Sequence, residues 1–195
     1  NGTKYYYQVR AADTDDEQSY FSDQAWATPK DLPTSPELIA PTIDKTVATS
    51  AFKATEFIYT GSDPIQTGVS PDTIKDYRTC VLRGRVLHSN GFALPGVEIT
   101  ILNHPEFGST LTREDGMFDM VINGGGDITV RYILDSYIEV QRTVKAGWEE
   151  YRNLPDVVMI QYDPNPDEID LTFGAGTQVA RGETITDERG VRTAT

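Results

Sequence analysis

Apolar and polar residues alternate with a period of two along most of this chain, the spacing of strands that bury one face. Residues 3–12 place Tyr5, Tyr7, Val9 and Ala11 on one face and Lys4, Tyr6, Gln8 and Arg10 on the other. A second strand is predicted over 20–28, after an acidic loop at 13–19 and before Pro29. Two paired strands do not bury a core by themselves, so residues 1–29 read as the end of a domain that begins upstream of Asn1. From Lys30 the composition turns to Pro, Thr, Ser and Ala, and Pro33, Pro36 and Pro41 oppose regular pairing. Residues 30–55 therefore read as a linker or extended strap. The short run Phe57-Ile58-Tyr59 reads as a strand that needs a neighbouring sheet to cover it.

The clearest pattern lies between 79 and 162. Cys80, Leu82, Gly84, Val86 and His88 alternate against Val81, Arg83, Arg85 and Leu87, and Asn90-Gly91 supplies a tight turn. After Pro95-Gly96, the β-branched residues Val97, Ile99 and Ile101 face one way and are the best core candidates. Residues 110–112, the Asp115-Gly116 turn and 117–122 are predicted to form a hairpin, with Met117, Asp119 and Val121 alternating against Phe118, Met120 and Ile122. Gly124-Gly125-Gly126 leads into a strand over 127–133, and further strands are predicted at 137–144 and 156–162. Between them, Trp148 and Tyr151 are spaced for one helical turn within 146–153. Short strands separated by turn signals at this density predict an all-β fold, a small antiparallel β-sandwich over 56–162. A Pro- and Asp-rich hinge at 163–167 then separates it from 168–195, where strands near 169–173 and 178–185 suggest the start of a further β-domain, so that 163–195 is hinge plus opening strands.

Charge narrows the function. With 17 Lys and Arg against 30 Asp and Glu in 195 residues, the net charge of −13 disfavours nucleic acid, whose phosphates are held by clustered basic side chains. No apolar stretch approaches a membrane span, so no membrane insertion is expected of this segment. The single cysteine, Cys80, reads as a buried strand residue, and His88 and His104 have no zinc-site spacing. The triple glycine is followed by a strand rather than a helix or a Lys-Ser/Thr pair, so it is a turn and not a phosphate loop. No nucleophile–base arrangement is recognisable, and neither an enzymatic role nor a cofactor is expected. Two acidic clusters, Asp13, Asp15, Asp16 and Glu17 in one loop and Asp163, Asp167, Glu168 and Asp170 at the hinge, have the hard oxygen ligands that calcium takes, although neither follows the twelve-residue calcium loop. Simple solvation of loops in an acidic chain is the default reading of both. Tyr5, Tyr6, Tyr7, Tyr20, Phe21 and Trp26 concentrate aromatic surface in the first segment, suited to sugar or peptide contacts or to a core.

Residues 1–11, with Ser19-Tyr20-Phe21-Ser22 and Ala27-Thr28-Pro29, resemble the last two strands of a fibronectin type III domain. That resemblance implies for Tyr5 the role of the tyrosine corner. Leu82-Arg83-Gly84-Arg85-Val86, Leu94-Pro95-Gly96-Val97-Glu98-Ile99 and Thr112-Arg113-Glu114-Asp115-Gly116-Met117-Phe118 resemble a carboxypeptidase regulatory-like, or transthyretin-like, β-sandwich. Residues 57–68, with 102–108 and 123–126, are similar to the region before the shell in bacterial RHS/YD-repeat proteins and their teneurin relatives. The resemblance implies a non-catalytic module of a large secreted or cell-surface protein, supporting or plugging a neighbouring β-shell. Its partners would be neighbouring domains of the same chain. The alternatives are an adhesion module for a surface glycan or protein and an accessory domain of a zinc carboxypeptidase. No YD repeat lies within these 195 residues.

Two expectations are directly testable. If Asp163, Asp167, Glu168 and Asp170 bind calcium, the melting temperature should rise between chelator and millimolar calcium; an unchanged value refutes it. Gly116→Val should destabilise the protein by about 1–3 kcal/mol through backbone strain, measured by urea unfolding.

Overall fold

The ten-residue strand β4 (Thr79–His88) organises the fold because it is paired along both edges. The computed structural model describes residues 5–11, 19–27, 31–42, 44–162, 184–187 and 190–193. On one edge of β4 lies β7 (Met117–Asn123), antiparallel, with Arg83 opposite Asp119 and Gly84 opposite Phe118. On the other edge lie β10 (Glu150–Asn153) and then β11 (Val157–Met159), both parallel to β4. Together these four strands make the first sheet. The second is antiparallel in the order β3 (Gln66–Thr67), β6 (Ser109–Leu111), β5 (Glu98–Ile101), β8 (Gly126–Ile133) and β9 (Val140–Ala146).

The two sheets face each other as an all-β sandwich. Cys80, Leu82 and Val86 from β4 and Phe118, Met120 and Ile122 from β7 are buried with Ile99, Val130 and Tyr132 of the second sheet. Phe118 and Tyr132 meet edge to face, their centroids 5.9 Å apart, across the gap. Gly84 makes that contact possible: a Cβ there would lie 2.6 Å from the Phe118 ring.

The opposite face of the first sheet is covered too. Val81 and Val121 are fully buried, although the two-residue period puts them on the far side from the second sheet. The helix α2 (Ala51–Thr55) packs on β4, and the 3₁₀ turn Glu56–Ile58 packs on β7. The α2 helix starts at Ser50, whose hydroxyl accepts from Lys53 N at 3.3 Å. A second short helix, α1 (Pro36–Ile39), lies in the strap, with Pro36 at its start.

Several expectations are corrected. Phe57-Ile58 belongs to the 3₁₀ turn rather than a strand, because its apolar side chains cap a sheet from above instead of extending one. The strap holds two short helices and is not purely extended. Residues 150–153 form β10 instead of a helical turn, since parallel pairing with β4 satisfies their backbone; Glu149 has φ 47° just before it. The sandwich is mixed, not wholly antiparallel. The Asp115-Gly116 turn is tight, with Gly116 N donating to Arg113 O, yet β6 and β7 join different sheets, so it is a crossing and not a hairpin. Gly116 has φ 75°, and a Cβ there would also collide with the Val86 carbonyl oxygen.

In the first segment, β1 (Tyr5–Tyr7) pairs antiparallel with β2 (Ala25–Ala27), which is shorter than the strand predicted over 20–28. β12 (Thr184–Asp187) pairs antiparallel with β13 (Gly190–Thr193). The calcium candidates Asp163, Asp167, Glu168 and Asp170 lie outside the described residues.

Gln66 joins the two sheets. Its backbone pairs with Thr110 in β6, while its side-chain amide accepts from Val121 N at 2.6 Å and donates to Val121 O and Phe107 O at 2.9 and 2.7 Å. Gln66→Leu leaves these buried backbone groups unsatisfied, at about 1–3 kcal/mol each. Urea unfolding should show a loss of several kcal/mol, well above that of the exposed neighbour Thr67→Val.

Candidate functional site

The outer face of the first sheet carries a buried charge cluster. Arg83 and Asp119 are cross-strand partners, and Arg83 Nε donates to Asp119 Oδ1 at 2.6 Å. Arg113, from the turn after β6, donates through Nη1 to Asp119 Oδ2 at 2.7 Å. The Asp119 side chain is 1% exposed and that of Arg113 9%. Such a carboxylate is tolerable in the interior only because both oxygens face guanidinium groups. The hydrogen bond to Asp119 also raises the pKa of Arg83 further above the ordinary arginine range. Asp115 lies 3.8 Å from Arg113 Nε, an ion-pair distance too long for a hydrogen bond.

The strap approaches this cluster. Glu37 of α1 contributes a favourable field at Arg83. Leu32, Pro33, Thr34 and Ser35 share an open crevice with Arg113, Glu114 and Asp115. On their other side, residues 31–34 line a crevice of about 240 Å³ with Ile65 and Thr110 of the β3–β6 edge. Thr110 Oγ1 donates to Ile65 O at 2.9 Å, so side-chain hydrogen bonds at 65–66 bind the preceding segment to the sandwich.

Groups with chemical potential are spent elsewhere or exposed. Cys80 is fully buried, and desolvation pushes its thiol up to about 11, which keeps it protonated and unreactive. His104 Nδ1 lies 2.9 Å from Glu106 Oε1 on the surface, and the hydrogen bond lowers the Glu106 pKa. His88 meets Tyr137 edge to face. Among the described residues no three His, Cys, Asp or Glu side chains converge on a metal position.

Val97, Ile99, Ile101 and Phe118 are buried in the core, with Gly84 under the Phe118 ring. Pro95 is exposed, and Gly96 has φ 76° beside Leu32 of the strap. Asp115 Oδ1 accepts from Met117 N at 2.8 Å across the Gly116 turn. Tyr5 lies in β1 opposite Ala27. The sequence reading missed Gln66, Arg113 and Asp119. The available signal was Asp119 itself, a carboxylate inside the apolar run Met117-Phe118-Asp119-Met120-Val121, with two arginines in the segments it would pair with.

Residues 74–159 match the Teneurin TTR-like domain. The TTR-like match leaves out Ile58, Ile65 and Gln66, which the structure buries with the matched core. The chain is similar to Teneurin-4 of Mus musculus, 40% identical over 80 residues, or 41% of this chain and 3% of that protein. It is also similar to Teneurin-m of Drosophila melanogaster, 34% identical over 113 residues, or 58% of this chain and 4% of that protein. The chain thus spans only 3% to 4% of these relatives' lengths. Among solved structures, 3-chlorocatechol 1,2-dioxygenase of Rhodococcus opacus 1CP aligns with 48% of this chain and 63% of its own, at a TM-score of 0.37 and 10% identity. That likeness is too slight to speak to chemistry.

Removing one member of the sandwich's charge cluster strands the others. Asp119→Leu leaves the buried Arg113 and the partly exposed Arg83 facing an apolar side chain and should destabilise the protein by about 3–5 kcal/mol. Glu139→Gln, which breaks the exposed pair with Arg131 at 2.7 Å, should lie within about 1 kcal/mol of the parent in the same denaturant series.

Proposed function

We propose that this chain is a stretch of a large secreted or surface-attached protein, in which the TTR-like sandwich is a non-catalytic structural module that fixes the positions of its neighbours. The observation that carries this reading is where the buried polar groups go. Gln66 ties the segment before the matched domain into both sheets, and Asp119 ties the crossing turn to the central strands, the side where the strap lies. Buried polar groups so committed to the chain's own backbone and arginines give a rigid orientation rather than a reactive centre.

The edge of the first sheet supports the same reading. Ile138 N donates to Ile160 O and Tyr162 N to Ser136 O, so a further pairing continues beyond β11. Val158, Ile160 and Tyr162 alternate outward along it and are 47%, 57% and 57% exposed. A row of exposed apolar side chains on an edge strand suits contact with another module. In this reading the pair β1–β2 is the remnant of a fibronectin type III domain, and the β-shell of an RHS- or teneurin-like protein is the neighbour to be supported. Relatives far longer than this chain are the support for that larger setting.

Hydrogen exchange tests the reading. In a longer protein carrying the gene's own flanking residues, the amides of 157–160 should exchange at least about ten-fold more slowly than in the 195-residue chain. Equal exchange in the two proteins refutes packing of this edge against a neighbouring module.

A further inference from the structure

Beyond this scaffold reading, one end of the sandwich carries an aromatic corner that the core does not use. Tyr77 and Trp148 are 62% and 61% exposed, yet their rings meet edge to face, 6.1 Å between centroids and 85° between planes. The surrounding backbone is tightly held. Arg78 donates from Nε and Nη2 to Gly124 O at 3.1 and 3.0 Å, Gly125 N donates to Ala146 O at 2.8 Å, and Gly147 N donates to Glu150 Oε2 at 2.8 Å. Gly125 leaves room for the indole: a Cβ there would collide with Trp148 Nε1. The next residue, Glu149, has φ 47°, the left-handed region that a non-glycine residue occupies at a cost. The loop therefore holds a large apolar side chain in the open at the expense of local strain, where an exposed ring in a solvated loop would need neither.

The rings' surroundings select the ligand. Lys75, Arg78 and Arg152 balance Asp76, Glu149 and Glu150 across the two segments that carry the aromatics, in a chain whose net charge is −13. A locally neutral patch favours neither a polyanion nor a cationic peptide. Two perpendicular rings present a small apolar corner rather than the long groove that an amphipathic helix fills. A pyranose fits these demands: its C–H face stacks on an aromatic ring, its hydroxyls both donate to carboxylates and accept from ammonium groups, and the segment that carries Tyr77 holds one of each, Asp76 and Lys75. We propose that Tyr77 and Trp148 form a binding subsite for a neutral saccharide.

The test uses the full 195-residue chain carrying Trp26→Phe, so that Trp148 is the only indole reporter. Cellohexaose, chitohexaose and maltohexaose are each titrated while indole fluorescence and the indole N–H resonance are followed. At least one should give a saturable change, with affinity reduced about ten-fold or more by Tyr77→Ala. For Trp148→Ala, calorimetric titration replaces fluorescence and should show the same loss. Melting temperatures of both variants establish that they remain folded; Tyr77→Ala carries the test if Trp148→Ala does not fold. No saturable response to any of the three sugars, or affinity retained in the folded variants, overturns the proposal. A response to a proline-rich decapeptide but to none of the sugars overturns it in favour of a peptide site.

Discussion

The side-chain amide of Gln66 is the interaction on which the sandwich closes. A strand edge presents unpaired N–H and C=O groups that lose water on burial, and such groups are expensive unless met. The edge of β7 away from β4 is buried, and among the described residues no strand pairs with it at Val121. Gln66 supplies what that strand would have supplied, accepting from the Val121 amide and donating to its carbonyl. Because the backbone of Gln66 already belongs to β3, this side chain makes one residue a member of both sheets. The relative position of the layers is therefore set by hydrogen bonds with narrow geometry as well as by apolar contact, which alone has little directionality.

The charge cluster does comparable work on the opposite face. Arg83 and Arg113 meet both oxygens of the buried Asp119 side chain, which offsets the cost of placing it there. Replacing all three by apolar residues of matching shape need not weaken the fold. What such a cluster adds is register: Arg83 and Asp119 face each other only in the observed pairing of β4 and β7, and Arg113 reaches Asp119 only if the chain crosses between sheets at Gly116. In a strongly acidic protein, two arginines committed to one carboxylate also leave the remaining surface still more negative.

These two devices explain why the folded unit extends beyond the stretch that matches the Teneurin TTR-like domain. The matched residues supply β4 to β11, but the far face of the first sheet is sealed by α2 and its 3₁₀ turn, and the β7 edge by Gln66. Residues 52–69 are thus part of the packing rather than a tether. The apolar row of β11 and the aromatic corner at Trp148 are among the features that this platform leaves facing outward.

Much of the fold was legible because a strand's contacts with its neighbours repeat every two residues. Val97, Ile99 and Ile101, the Gly116 turn and the long β4 follow from that period and from the restricted backbone of turns. The same period misled wherever a strand is buried on both faces, since Val81, Asp119 and Val121 then look like solvent positions. It also misled where partners are distant in sequence. Residues 150–153 and 57–58 have short, ambiguous patterns, and only the vacant edge and face of the first sheet decide that one becomes a parallel strand and the other a cap. By itself the sequence determined an acidic all-β chain with one small sandwich at its centre, because alternation and turn chemistry are local. Tertiary structure alone decided which edge Gln66 closes, which arginines meet Asp119 and which aromatics stay exposed, because each depends on surfaces formed by residues tens of positions apart.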